Sequence, residues 1–495
     1  MAQQLDQEAT AAVETATVDD FAALLQKEFK PNTDSKRARI EEAVQTLAQQ
    51  ALADSQIIGE DVFATVDAIR AAIDAKLTEQ INKIIHHPEF QAIESAWRGL
   101  WYMVGNSPTG TDLKIRVMNI SKDETRKSLR QYRGAGWDQS PLFKKIYESE
   151  FGVLGGQPYG AFVCDYYFDH TGPDVEMMKG LTQIGAAAHT PFIAAAAPSI
   201  LGMESWQELS NPRDIAKQFE ATDYRNWNSF RASTDSRYLA LTMPRFLGRP
   251  TYGANGEPVE EFAFEEETGG DHDKHLWVNA AYALGTRITE AFKTYGWCTR
   301  IRGVESGGTV EGLPTAMFPT DDGSMDAKCP TEIAISDRRE GELSKAGFMS
   351  LLHRKNTDQA TFVGGQTVHA PARYDDSEAT ANANLSARLP YIFAASRFAH
   401  YLKCIVRDWV GSTREEAQLQ KDLQSWIMQY VDGQPEVSSE EVKARRPLKD
   451  ATIEVIPDED NPGFYKGVFR LVPHYQFEGM DVALSMVSKL RGAAQ

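Results

Sequence analysis

Between residues 161 and 363, short apolar runs alternate with longer helical patterns, and few folds accept that order. Residues 161–168 (AFVCDYYF) read as a strongly apolar, aromatic strand. A helix of small residues follows over 175–189, suited to close packing on a sheet, and then a buried strand over 191–197. A helix opens at Asn211-Pro212 and runs to about Arg231, and residues 238–242 form a strand that Pro244 stops. Residues 276–295 are helical and Gly296 ends them. Short strands are expected over 298–302, 331–336 and 360–363, with a charged helix or helical turn over 337–348. Upstream, residues 113–120 (LKIRVMNI) alternate with period two and predict a strand, followed by helices over 121–133 and 142–148. The alternation predicts a mixed α/β (α+β) body.

Both ends depart from that pattern. Residues 1–16 are polar and read as a disordered tail. A short amphipathic helix over 18–29 follows, with Phe21, Leu24, Leu25 and Phe29 on its apolar stripe. Such a helix cannot bury its stripe alone. It is either a helix-in-groove ligand or packed back on its own domain. Residues 40–52 fit a helix or an added strand. Residues 62–85 form a long amphipathic helix. At the far end, residues 448–456 and 468–472 alternate around the dense turn signal PDEDNPG, which predicts a β-hairpin. The free edges of a lone hairpin call for strands from this chain or another. The organisation expected is an N-terminal arm over 1–60, docking helices over 61–110, a body of two lobes over 111–434 and a C-terminal hairpin segment over 435–495. A final apolar segment over 482–490 closes the chain.

Between arm and body lies HHPEFQAIESAWRGLWYMV, residues 86–104. Pro88 suits the first turn of a helix, and Glu89 complements the helix dipole there. Phe90, Ile93, Trp97, Leu100, Trp101 and Val104 recur at steps of three and four, so they share one face. That face is expected to dock on the rest of the chain, with Phe90, Trp97 and Trp101 as structural anchors. The wording of this stretch resembles the large subunit of the type VI secretion contractile sheath (the TssC/VipB type). The resemblance continues through RYLALTMPRFLGRPTYG, HLWVNAAYA, AFKTYGWCTRIRG, PTEIAISDRREGELSKAGF and SRFAHYLK to FRLVPHYQFEGM. These blocks keep the family's order over about residues 80–490.

Net charge is −18 and the pI about 5.1, which argues against a phosphate-backbone partner. The four cysteines are scattered without C-x-x-C spacing, so no disulfide framework is expected and a cytoplasmic setting fits. No signal peptide is read at the N-terminus. The longest apolar run, 191–201, is about half a membrane span, so no transmembrane segment is expected. No P-loop, G-x-S-x-G or H-E-x-x-H occurs, and the glycine pairs at 155, 307 and 364 read as turns. His86-His87, the His272-x-x-His275 pair and the Glu265–Glu267 run are candidate cation ligands, with a solvated loop and a solvated acidic face as the plainer readings. Arg338 and Arg339 with Asp337, Glu340 and Glu342 fit either an inter-subunit ion network or ordinary surface pairs. No cofactor, metal or catalytic group is expected.

The resemblance implies the fold of a contractile sheath protein and a structural role. It implies heterodimers with a small sheath subunit (TssB/VipA type). These would stack with neighbouring copies into a helical tubule around an inner tube of Hcp, joined to baseplate components. Contraction would drive out tube and spike, and the ClpV ATPase would dismantle the contracted form through the helix bearing Phe21, Leu24, Leu25 and Phe29. Ile453, Val455, Phe469 and Leu471 would lie in a sheet shared between subunits. No nucleic acid and no direct membrane insertion are implied. Two other classes stay open from residues alone: an enzyme with a site near His272, and a plain chaperone or scaffold.

Overall fold

The structure, a computed structural model, describes residues 62–474 except 212–213, 255, 320–324, 410–415 and 458–464. The 18–29 helix with Phe21, Leu24, Leu25 and Phe29, the 40–52 segment, most of the 457–463 turn and the 482–490 segment lie outside the described residues. The chain divides into two compact units. The first takes residues up to Glu94 with Arg249–Leu276 and Ala316–Lys328. The second takes Ser95–Gly248, Trp277–Thr315 and the chain from Cys329 onward.

In the first unit, helix α1 (Val62–Ile85) spans the predicted 62–85. Its C-terminal turn is fastened to a loop by one side chain. Asn82 donates to the Glu265 carbonyl at 3.0 Å and accepts from the Glu267 N–H at 2.9 Å. Helix α2 (Pro88–Gly105) begins in this unit and its later turns, from Ser95, belong to the second.

The second unit is built on a six-stranded sheet. Its strands are β1 (Phe162–Phe168), β2 (Phe192–Ala196), β3 (Leu239–Met243), β4 (Thr309–Val310), β5 (Phe348–His353) and β6 (Ala360–Phe362), in the order β1-β2-β3-β5-β6-β4. The first four in that order pair in parallel, with Phe192 beside Leu239 and Leu241 beside Phe348. β6 and β4 continue the sheet antiparallel. Strands β2 and β3 are buried throughout, as continuous apolar runs in a two-sided sheet must be. Side chains alternate between faces. Leu239 and Leu241 enter a core with Trp206, Trp227 and Phe348, while Ala240, Ile193 and Met349 enter one with α5 (Ala280–Tyr295). Helix α3 (Lys122–Gln131) starts at a capping box between Ser121 and Glu124, and α4 (Gly172–Ala188) connects β1 to β2.

Four expectations fail here. Residues 113–120 are extended but pair with no strand among the described residues. Residues 298–302 and 331–336 form no strand: the chain turns after 302 so that Thr309–Val310 takes the place beside β6, and Thr331 makes only an isolated bridge to Phe246. The helix expected through Phe348 stops at Lys345, because Gly347 takes a φ of 92° that no helix continues. Directly after that glycine, FMSLLH forms β5, a strand that the sequence pattern does not foretell. The helix expected from Asn211 to Arg231 is broken into short pieces, Ile215–Gln218 and Arg225–Arg231.

Two further helices, α6 (Leu389–Trp409) and α7 (Glu416–Ile427), carry a third apolar cluster. The hairpin is present as β7 (Leu448–Pro457) and β8 (Tyr465–Pro473), and it lies on α7. Leu448, Ala451, Ile453 and Val455 are buried there among Trp297, Phe398, Leu402, Leu423 and Ile427. Burying Leu448, Ile453 and Val455 contributes about 1.5–3 kcal/mol each, which a free hairpin would lack.

Candidate assembly surfaces

The hairpin register fixes what each edge offers. Ile453 stands opposite Phe469, Ala451 opposite Leu471 and Val455 opposite Gly467. Gln424, on α7, reaches the outer edge of β7. Its Nε2 donates to the Ala451 carbonyl at 2.9 Å, and its Oε1 accepts from the Ile453 N–H at 2.9 Å. One amide side chain thus stands in for a neighbouring strand. Farther back, the Asp432 N–H donates to the Leu448 carbonyl at 2.9 Å and the His474 N–H to the Pro447 carbonyl at 3.1 Å. The His474 bond continues the hairpin ladder, and the Asp432 and Gln424 bonds close the outer edge of β7 from residue 448 to 453.

The other edge is open. Ala451 and Ile453 direct these backbone groups away from β8, so their partners Leu471 and Phe469 direct theirs away from β7. Among the described residues no strand pairs with β8 on that side. Of the four hairpin residues singled out in the sequence, Ile453 and Val455 are buried in the chain's own core, Leu471 packs partly against it and Phe469 is 38% exposed. Any neighbour would meet the backbone of Phe469 and Leu471, not the side chains of Ile453 and Val455.

The aromatic helix reverses its expected orientation. α2 buries Ser95, Gly99 and Met103, while Trp97 is 69% and Trp101 75% exposed, with Phe90 at 40% and Ile93 at 60%. The physical reason is close approach. A Cβ at Gly99 would lie 2.4 Å from the Tyr282 ring and 2.9 Å from Val278, so the helix sits on the second unit through its small residues. Ser95 Oγ donates to the Trp277 carbonyl at 2.8 Å in the same interface. Period counting found the aromatic face correctly, but heaviness was the wrong guide to which face turns inward.

The remaining candidates resolve into structural roles. Glu266 is no solvated acid. In the first unit the Arg249 guanidinium donates to both its oxygens at 2.6 and 3.1 Å, to Glu94 at 2.9 Å, and stacks over Tyr252 at 4.3 Å. Burial would raise the Glu266 carboxyl. Hydrogen bonds and charge from Arg249, with the Tyr252 N–H and His86, outweigh it and hold the group below the usual carboxylate range. His86 Nε2 lies 3.3 Å from Glu266. His272 and His275 are buried, and burial, then the charge of Lys328, pushes His275 down to about 4. Among the described residues no three His, Cys, Asp or Glu side chains gather as a metal site would need. The four cysteines are free. Arg338 and Arg339 both pair with Glu342 within their own helix, at 3.3 and 2.8 Å. Among the described residues no helix is long and apolar enough to cross a membrane.

One edge closed by a side chain, one left open, and an aromatic helix face turned to solvent define a structural subunit built to add to other chains. Comparison with known proteins gives the family. Residues 67–369 match the VipB family (EvpB/VC_A0108, tail sheath N-terminal domain), and residues 378–490 its second domain (EvpB/VC_A0108, tail sheath gpW/gp25-like domain). The chain is 58% identical over 482 residues to the type VI secretion system sheath protein TssC1 of Pseudomonas aeruginosa, covering 97% of each. It belongs to the VipB family of type VI secretion sheath proteins. Among solved structures, the anti-feeding prophage baseplate aligns at 11% identity and TM-score 0.34 over 64% of this chain and 67% of that one. The anti-feeding prophage helical sheath in the contracted state aligns at 9% identity and TM-score 0.33, over 63% and 66%.

Proposed function

We propose that this chain is the large structural subunit of a contractile sheath. It pairs with a small sheath subunit, polymerises with its own copies into a helical tubule around an Hcp inner tube on a baseplate, and shortens to expel tube and spike. The observation that carries this is the hairpin with one sealed and one open edge. A single open edge accepts one strand per subunit, and a heterologous contact that does not close gives a filament. The exposed Trp97 and Trp101 face supports the same reading, since lone soluble chains rarely leave two tryptophans on one stripe uncovered. Joined strands would hold the mesh while body contacts repack between two states. The segment over residues 18–29, with Phe21, Leu24, Leu25 and Phe29, is the handle for ClpV.

Co-expression with the small sheath subunit tests the reading. Negative-stain microscopy is expected to show hollow tubules. Small soluble complexes under all conditions would overturn it. Leu24→Asp is expected to abolish ClpV binding and leave tubules intact, and unchanged binding would remove that helix from the role.

A further inference from the structure

Helix α1 is held at one end. Of its side chains from Arg70 to Ile85, Asn82 and Ile85 alone are buried, while Ile73, Leu77 and Ile81 are half-covered and Ile84 is 54% exposed. The ion pairs Arg70–Asp67 and Lys83–Glu79 join residues of the same helix. Most helical stability in proteins comes from a packed face and little from propensity, so a helix with this little burial opens at small cost.

The last turn is built differently. The Asn82 amide uses every group it has. Its Nδ2 donates to the Thr78 carbonyl at 2.9 Å and to the Glu265 carbonyl at 3.0 Å, and its Oδ1 accepts from the Glu267 N–H at 2.9 Å. Two of those bonds clasp the backbone on either side of Glu266. The Glu266 side chain is fully buried, and it accepts from the Arg249 guanidinium and from the Tyr252 N–H at 2.9 Å, with His86 Nε2 3.3 Å away. Arg249 also donates to Glu94, and Gln91 Nε2 donates to the Asp273 carbonyl at 3.0 Å. Asn82, His86, Gln91 and Glu94 thus tie residues 82–94 to the 249–276 segment, whereas residues 70–81 bury no side chain. Drawing one partner out of a buried ion pair leaves the other charge poorly solvated, so such a tie resists separation. Asn82, His86 and Arg249 converge on Glu265–Glu267, and none can leave without loading the others.

We propose that the Asn82–Glu266–Arg249 cluster is a mechanical stop in the first unit. A chain drawn from its N-terminus gives up α1 as far as residue 81 and is arrested where Asn82 and His86 meet the 249–276 segment. This deepens the reading of residues 18–29 as a handle and rests on it for the source of the pull. A weak or brief pull on the handle then costs the subunit its first helix and no more. A sustained pull breaks the cluster and takes the subunit with it.

The full chain in an optical trap tests the stop. One tether holds an N-terminal tag, and the other a click-reactive residue at position 437, where Val437 is 85% exposed. Unwinding of residues 62–81 is expected first, at low force, with a gain of about 40 Å as the rise goes from about 1.5 to about 3.4 Å per residue. A long-lived plateau is expected next. At constant force its lifetime should fall at least tenfold in Asn82→Ala and stay unchanged in Ile84→Ala, an exposed site on the same turn. A first high-force event with α1 still wound overturns the stop. Equal lifetimes for Asn82→Ala and the parent, or equal losses in Asn82→Ala and Ile84→Ala, overturn it as well. Hydrogen exchange of the β2 and β3 amides checks that the variant is folded. If Asn82→Ala disturbs them, Asn82→Asp decides. It keeps the bond from the Glu267 N–H and loses the one to the Glu265 carbonyl, and should shorten the plateau at least threefold, with an unchanged plateau overturning the stop. The trap needs no ATPase and no partner, so its failure strikes the stop and leaves the handle standing. Unchanged ClpV binding by Leu24→Asp strikes the handle and leaves the plateau.

Discussion

Gln424→Ala isolates the contribution of the side chain that closes β7. The substitution deletes two hydrogen bonds, to the Ala451 carbonyl and from the Ile453 N–H, and leaves the apolar packing of Leu423 and Ile427 in place. Gln424 is itself only partly buried, so water can follow the shortened side chain to both backbone groups once the amide is gone. The cost is then the net value of each bond, about 1 kcal/mol, and not the full penalty of an orphaned group. Two such bonds give about 2 kcal/mol, or a roughly 30-fold rise in the open population of the hairpin. Hydrogen exchange read peptide by peptide is the right assay, because a chain with several cores does not melt in one step. Amides of residues 449–455 are expected to speed up about 30-fold and those of β1–β6 to stay unchanged. A rise below threefold, or one spread evenly over the six-stranded sheet, would refute the claim that one amide replaces a strand. Gln424→Glu sharpens the test. A carboxylate still accepts from Ile453 but faces the Ala451 carbonyl without a proton to give. Its penalty is present at neutral pH and shrinks as pH falls through the ordinary Glu range near 4.3, where the protonated acid can donate again.

Gly99→Ala should destabilise the second unit by about 1–3 kcal/mol despite the better helix propensity of alanine, because the new methyl meets the Tyr282 ring. Trp101→Ala should change the stability of the free chain by less than about 0.5 kcal/mol while weakening assembly, and equal stability losses for the two variants would refute the exposed orientation. His400 reports on acid. Its Nε2–H donates to the Ala188 carbonyl at 2.8 Å, and burial, then the charge of Arg397, pushes its pKa down to about 3. The folded pKa is below the unfolded value near 6.5, so this contribution is full above pH 6.5 and is lost as pH falls toward 3. Hydrogen exchange of the amides around His400 between pH 4.5 and 6.5 should show His400→Gln losing stability less steeply, by up to about 1.4 kcal/mol per pH unit at the acid end. Parallel pH profiles for the two proteins would contradict it.

Much of the fold was legible because it rests on local pattern. The half-buried strand β1, the buried strands β2, β3 and β6, helix α1 and the hairpin announce themselves through period and turn chemistry. The failures share another cause. β5 was hidden because a charged helix runs into it across two residues, Ala346 and Gly347, and no propensity reports the backbone angle of Gly347. Residues 113–120 have the alternation of a strand, but alternation states only that a segment can pair, not that a partner exists in the same chain. The orientation of α2 was missed because the count of apolar residues favours the aromatic face, while the fit against Tyr282 favours glycine. Gln424 could not have been found from sequence, since nothing in the wording of a helix says that one amide will meet a strand 27 residues later.

That same residue bears on how the polymer keeps its direction. A two-stranded hairpin with both edges open would accept strands on either side, and copies could pair without limit or register. On the proposed sheath reading, sealing β7 leaves β8 as the hairpin's open edge among the described residues, so the hairpin would receive a strand on one side and growth would have one sense. The seal is made by a side chain and not by a further strand, which makes it removable by one substitution. If the seal sets direction, Gln424→Ala should do more than loosen the hairpin. It should also raise side-on pairing of hairpins, visible as irregular aggregates beside the tubules at high protein concentration. Tubules of normal yield with no such aggregates would mean that the open hairpin edge is guarded by something other than Gln424, and that its two hydrogen bonds serve stability alone.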